Sequence, residues 1–101
     1  MGSERDQILE ALSSHREAIL SFGTSRLGLF GSQARGESSA DSDLDFVVEF
    51  KPGAKTFDNY MDLKEFLEQL FDRPVDLVIS EVIKPRLRDG ILRETVYAPG
   101  L

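Results

Sequence analysis

Apolar positions along this chain switch between two periods, and the switches mark its elements. Ile8, Leu9, Leu12, Ile19 and Leu20 recur at helical spacing, with Ser3 as a candidate N-cap and Gly23 suited to the position after the last turn. The pattern predicts an amphipathic helix over about 4–22. Residues 26–30 and 44–50 read as strands, and Lys51-Pro52-Gly53-Ala54-Lys55 as a loop. Thr56 can cap a helix of about 57–71, whose Tyr60, Leu63, Leu67, Leu70 and Phe71 share one face. Pro74 limits that helix, because the residue before a proline avoids helical angles. Val75-Asp76-Leu77-Val78-Ile79 is a third strand, apolar apart from one aspartate, an anomaly in a buried setting. Pro85 fits the first turn of a last helix, about 84–96, with Leu87, Ile91, Leu92 and Val96 inward. The order helix, strand, strand, helix, strand, helix predicts an α/β (α+β) domain with a small mixed sheet and flanking helices.

Composition narrows the class. The chain of 101 residues suits one domain over 1–101, and 41% hydrophobic residues suit a packed core rather than disorder. No apolar run approaches the ~18 residues of a membrane span. The polar start Met1-Gly2-Ser3-Glu4-Arg5-Asp6 argues against export, and the lack of cysteine favours a cytoplasmic protein. The net charge is −6, with four basic and nine acidic side chains in residues 1–50. That half lacks the clustered Lys and Arg that attract a polynucleotide backbone, which excludes long nucleic acid as the expected substrate. A metal-chelated nucleotide stays open, because the cations offset acidic charge. His15, on or beside the first helix's apolar stripe, reads as a partly buried packing residue. Lys84, Arg86, Arg88 and Arg93 read as a solvated face.

The candidate chemistry lies between the first two strands. Side chains on a strand alternate faces, so Asp43 and Asp45 share one face while Leu44, Phe46, Val48 and Phe50 share the other. Two unit charges a few Å apart repel by about 4 kcal/mol at an effective dielectric of ~20, so such a pair invites a cation. Asp41-Ser42-Asp43-Leu44-Asp45 begins like a calcium loop, but the required Gly and Glu positions hold Phe46 and Pro52. Gly31 and Gly36 have P-loop spacing, but Glu37 stands where a lysine must meet phosphate. A third reading is a metal-dependent nucleotidyl-transfer site, beside the plainer ones of a solvated strand edge for Asp43 and Asp45 and an ion-pair partner such as Arg73 or Arg86 for Asp76. Asp43 and Asp45, with Asp76 on a neighbouring strand, can form a carboxylate triad for magnesium beside the Gly31-Ser32 turn, whose backbone and hydroxyl suit phosphate. If the cluster is strained without a cation, Asp43→Asn raises the melting temperature of the metal-free protein while abolishing turnover.

At these residues the chain resembles a known family. Gly31-Ser32-Gln33-Ala34-Arg35-Gly36, then Ser42-Asp43-Leu44-Asp45-Phe46-Val47-Val48, then a lone Asp76, match the signature of the DNA polymerase beta-like nucleotidyltransferase superfamily. The compact size and the ending Leu87-Arg88-Asp89-Gly90-Ile91-Leu92-Arg93-Glu94-Thr95-Val96-Tyr97 look most like its minimal nucleotidyltransferases, the MNT antitoxin group. The resemblance implies that Asp43 and Asp45 bind two magnesium ions. It implies that Asp76 binds the catalytic ion and helps deprotonate or orient the acceptor hydroxyl. Gly31 and Ser32 would hold the β- and γ-phosphates of ATP, and Arg35 would stabilise their charge. The implied partner is a HEPN-domain toxin, a ribonuclease, silenced when AMP moves from ATP onto its tyrosine and pyrophosphate leaves. Two other readings stay open: a non-catalytic antitoxin that neutralises by binding, and a small-molecule nucleotidyltransferase.

Overall fold

In the computed structural model, residues 3–36 and 43–101 are described, and they form an α+β fold around a four-stranded mixed sheet. The elements are α1 (Glu4–Ser14), α2 (Arg16–Ser21), β1 (Thr24–Phe30), α3 (Gly31–Ala34), β2 (Leu44–Phe50), α4 (Phe57–Phe71), β3 (Val75–Ile79), α5 (Pro85–Glu94) and β4 (Val96–Tyr97). A short 3-10 turn, Ser80–Val82, links β3 to α5. The sheet order is β3-β2-β1-β4. Only β2 and β3 run parallel, and α4 supplies the crossover that a parallel pair requires.

The alternation along the strands builds one face into a core. Leu27 and Leu29 of β1, Leu44, Phe46 and Val48 of β2, and Val75 and Leu77 of β3 are buried against Ile8, Leu12, Ile19, Leu63 and Leu67 of the helices. The caps follow the sequence: Ser3 Oγ accepts from Asp6 N at 3.2 Å and Thr56 Oγ1 from Asn59 N at 3.1 Å. Asp72 ends α4 in the left-handed region at φ 52°. Among the described residues no helix is long and apolar enough to cross a membrane.

Five expectations are corrected. The helix expected over 4–22 breaks at His15, where the backbone leaves helical angles and Nδ1 lies 2.9 Å from Ala11 O. Ser13 donates its hydroxyl to Pro99 O at 2.9 Å and ties the last turn of α1 to the C-terminal segment. His15 itself is exposed and meets Phe66 edge-on, with centroids 6.0 Å apart, rather than being partly buried. The last helix ends at Glu94, not 96, because Thr95 Oγ1 donates to Ile91 O at 2.7 Å and Val96–Tyr97 pair with β1 instead. Leu87, expected inward, is 52% exposed. Within the basic run, Arg88 differs from its neighbours: it is half-buried, and Nη2 donates to Glu81 O at 2.8 Å.

Candidate active site

Strand register brings the acidic residues together. Asp45 stands opposite Asp76 in the parallel β2–β3 ladder and opposite Phe30 in the antiparallel β1–β2 ladder. Residues opposite one another share a face, so the two aspartates project side by side across strands about 4.8 Å apart. Asp43 lies two residues before Asp45 and is exposed at the mouth of β2. Leu44 N donates to Pro74 O at 3.0 Å and fixes this register at its open end, while Val75 N donates to Glu68 Oε2 of α4 at 3.1 Å. Asp76 projects from the face of β3 opposite the buried Val75 and Leu77, so it is exposed and the expected anomaly of a buried charge disappears.

Gly31 follows Phe30 at the end of β1, and its position explains its identity. Its φ is +77°, and a Cβ there would overlap Oδ2 of Asp45 and lie 3.2 Å from its Cγ. Glycine is therefore needed both for the backbone angle and for the space in which the Asp45 carboxylate rests. Ser32 sits next in the single turn α3, half-buried, and Arg35 follows it, exposed. All six residues singled out in the sequence, Gly31, Ser32, Arg35, Asp43, Asp45 and Asp76, thus lie at one end of the sheet. Residues 37–42, which include Glu37 and Asp41 of the rejected loop motifs, lie outside the described residues.

Electrostatics single out Asp45. Burial raises its carboxyl above 3.8, the neighbouring Asp76 and Asp43 raise it further, Arg35 opposes them, and Glu94 adds a smaller upward push. Among the described residues, no three His, Cys, Asp or Glu side chains stand together as a closed ligand set. The donor chemistry nonetheless fits a hard divalent cation. The residues are carboxylates, Asp45 is crowded by like charge, and Gly31 clears room at its oxygen.

Several residues at this site carried no role in the sequence. Glu94, at the end of α5, accepts a hydrogen bond from Gly31 N at 3.1 Å and pairs with Arg35 Nη1 at 3.1 Å. Gln33, only 3% exposed, donates from Nε2 to Glu4 Oε1 at 2.8 Å, and the same Glu4 oxygen binds Arg73 Nη1. Glu4 thereby ties α1 to the motif turn and to the segment that enters β3. Nothing in the sequence signals this tie, because the burial of Gln33 is set by the packing of α1 on the turn. Gly28, opposite Tyr97 in the ladder, has no side chain because one would overlap Thr95 Cγ2.

Comparison with known proteins places these features in a family. A model of the nucleotidyltransferase domain matches residues 6–98. The chain is 36% identical over 93 residues to the protein adenylyltransferase MntA of Thermococcus cleftensis, covering 91% of this chain and 93% of that protein. A solved structure assigned as a minimal nucleotidyltransferase is 44% identical with a TM-score of 0.71, spanning 87% of this chain and 93% of that one. The fold is also shared, at 24% identity and a TM-score of 0.63, with a toxin-antitoxin crystallised with AMP-PNP, over 97% of this chain and 74% of that one.

Proposed function

The chain belongs to the nucleotidyltransferase domain family, and from that membership we propose that it moves AMP from ATP onto a hydroxyl of a partner protein. The acceptor in this reading is a tyrosine of a HEPN-type toxin, and its modification makes this chain an antitoxin acting in the cytoplasm. The observation that carries the reading is the register that sets Asp45 beside Asp76, next to a glycine whose missing side chain opens space at Asp45. Its relative in Thermococcus cleftensis is named a protein adenylyltransferase, which favours a protein acceptor over a small molecule.

Asp43, Asp45 and Asp76 would hold two magnesium ions. Bound there, the metal supplies charge neutralisation of the triphosphate and activation of an oxygen nucleophile. The chain's own groups do the rest. The Ser32 hydroxyl and the Ser32 backbone N–H donate to phosphate oxygens, Gly31 lets the backbone approach them, and Arg35 adds a guanidinium to the charge that develops on the leaving pyrophosphate. Asp76, exposed on the edge strand, is where an acceptor hydroxyl can approach, and its carboxylate orients that hydroxyl and takes its proton. Bond formation from the acceptor oxygen to the α-phosphorus and departure of pyrophosphate balance the reaction.

The test supplies α-labelled ATP, magnesium and the toxin encoded beside this protein. The expected result is label on the toxin, with none after Asp43→Ala combined with Asp45→Ala. A folded wild-type protein that leaves the toxin unlabelled while still neutralising it would replace this reading with a non-catalytic binder.

A further inference from the structure

Glu94 engages the phosphate-binding turn through both oxygens of one carboxylate. Oε1 accepts from the backbone N–H of Gly31 and Oε2 from Nη1 of Arg35, each at 3.1 Å. These donors come from the two ends of a single turn, so one side chain sets the turn and the guanidinium relative to each other. The backbone of Glu94 is itself held on both sides. Thr95 Oγ1 donates to Ile91 O at 2.7 Å, closing α5 behind it. Immediately beyond, Val96 and Tyr97 pair with Leu29 and Gly28 of β1, and Gly28 lacks a side chain where Thr95 packs. Glu94 is therefore fixed to the strand that delivers Gly31.

We propose that Glu94 is a positioning residue for nucleotidyl transfer, clamping the Gly31 peptide and aiming Arg35 at the triphosphate. This inference rests on the nucleotidyl-transfer reading. The ion pair itself contributes little stability, because its side chains are 47% and 32% exposed and such pairs are weak in water. Its effect lies in where the guanidinium points. A guanidinium offers five N–H donors in a fixed fork, so engaging one of them on Glu94 sets the direction of the others. The opposite role for the same contact is a phosphate mimic that ATP must displace. The second hold of the same carboxylate on the Gly31 N–H argues against that role, since a mimic that retreats would leave this backbone donor without its acceptor.

The test compares wild type, Glu94→Gln, Arg35→Ala and the double variant in steady-state kinetics with ATP, with melting temperatures alongside. Glu94→Gln keeps an oxygen for Gly31 N–H and loses the charge that holds Arg35. It is expected to lower kcat/KM for ATP about tenfold with the melting temperature within about 2 °C of wild type. In the Arg35→Ala background the same change is expected to cost less than about twofold, because residues that act through one another are not additive. Losses that multiply in the double variant overturn the proposal, and so does a loss accompanied by a large fall in melting temperature. A lower KM for ATP in Glu94→Gln overturns it in favour of the mimic. Titration of wild type with magnesium and AMP-PNP separates this from the parent reading: a wild type that binds no nucleotide removes the site itself.

Discussion

Replacing Asp45 by Asn should stabilise the metal-free protein while destroying its activity. Burial, Asp76 and Asp43, in that order, raise the Asp45 carboxyl above 3.8, against the pull of Arg35. A group whose pKa rises on folding contributes stability fully present below its unfolded pKa and lost as pH rises through the folded one. At neutral pH the ionised Asp45 is therefore a cost to the fold. Its ladder partner Asp76 lies across a strand spacing of about 4.8 Å. Two charges at about 5 Å repel by roughly 3 kcal/mol at an effective dielectric of 20 and by under about 1 kcal/mol in bulk water. Asp76 is exposed and Arg35 offsets part of the repulsion, so the lower end applies, about 1 kcal/mol. In a domain of this size that is a rise of about 4–8 °C in melting temperature. Asn is nearly isosteric and fits the space beside Gly31. The assay is thermal unfolding followed by circular dichroism with a chelator present, near pH 7 and again below about pH 3, well under the unfolded carboxyl value. The gain should be present at pH 7 and vanish at the acid pH, where Asp45 is protonated in folded and unfolded chains alike. A variant that melts at or below wild type near pH 7 would refute the reasoning and make Asp45 a structural residue. The sequence alone placed this test at Asp43; the structure moves it to the half-buried member of the pair.

Three other outcomes are expected. Gly31→Ala forces a side chain into the left-handed region, at a cost of about 1–2 kcal/mol, and against Asp45; calorimetry should find it destabilised and transfer assays inactive. Glu4→Ala leaves the buried Gln33 amide without its acceptor and should cost about 1–3 kcal/mol in urea titrations, with nucleotide binding weakened through the loosened turn. Leu67→Ala, at a position with no exposed surface, should cost about 2–5 kcal/mol in the same titrations and leave the KM for ATP of the folded fraction unchanged.

Most elements were legible in the sequence because local chemistry and tertiary packing agree there. Thr56, the Leu63 and Leu67 stripe and the break before Pro74 define α4 without reference to anything else in the chain. Asp43 and Asp45 followed from strand alternation, and Asp76 from being the one charge in an apolar run. What stayed hidden depends on contacts between distant segments. Val96 fits the α5 periodicity, and only its pairing with Leu29, beside a glycine that leaves room for Thr95, pulls it into a strand. The tie from Ser13 to Pro99 spans 86 residues and leaves no local signal. Glu94 and Glu4 look like surface charges in one dimension, since their partners lie 63 and 29 residues off. Asp76 stood out by its charge but was given the wrong setting, because no local signal tells whether the second face of a strand is covered.

The central claim is that Asp43, Asp45 and Asp76 together hold divalent ions beside a bound triphosphate. Electron paramagnetic resonance of manganese, titrated into wild type and into each single Asp→Asn variant with AMP-PNP present, reads that claim directly. Wild type should immobilise the ion with the nucleotide, and Asp45→Asn and Asp76→Asn should each weaken it at least about tenfold. Equal manganese binding in wild type and Asp76→Asn would contradict the account, because the third carboxylate would then have no part in the site.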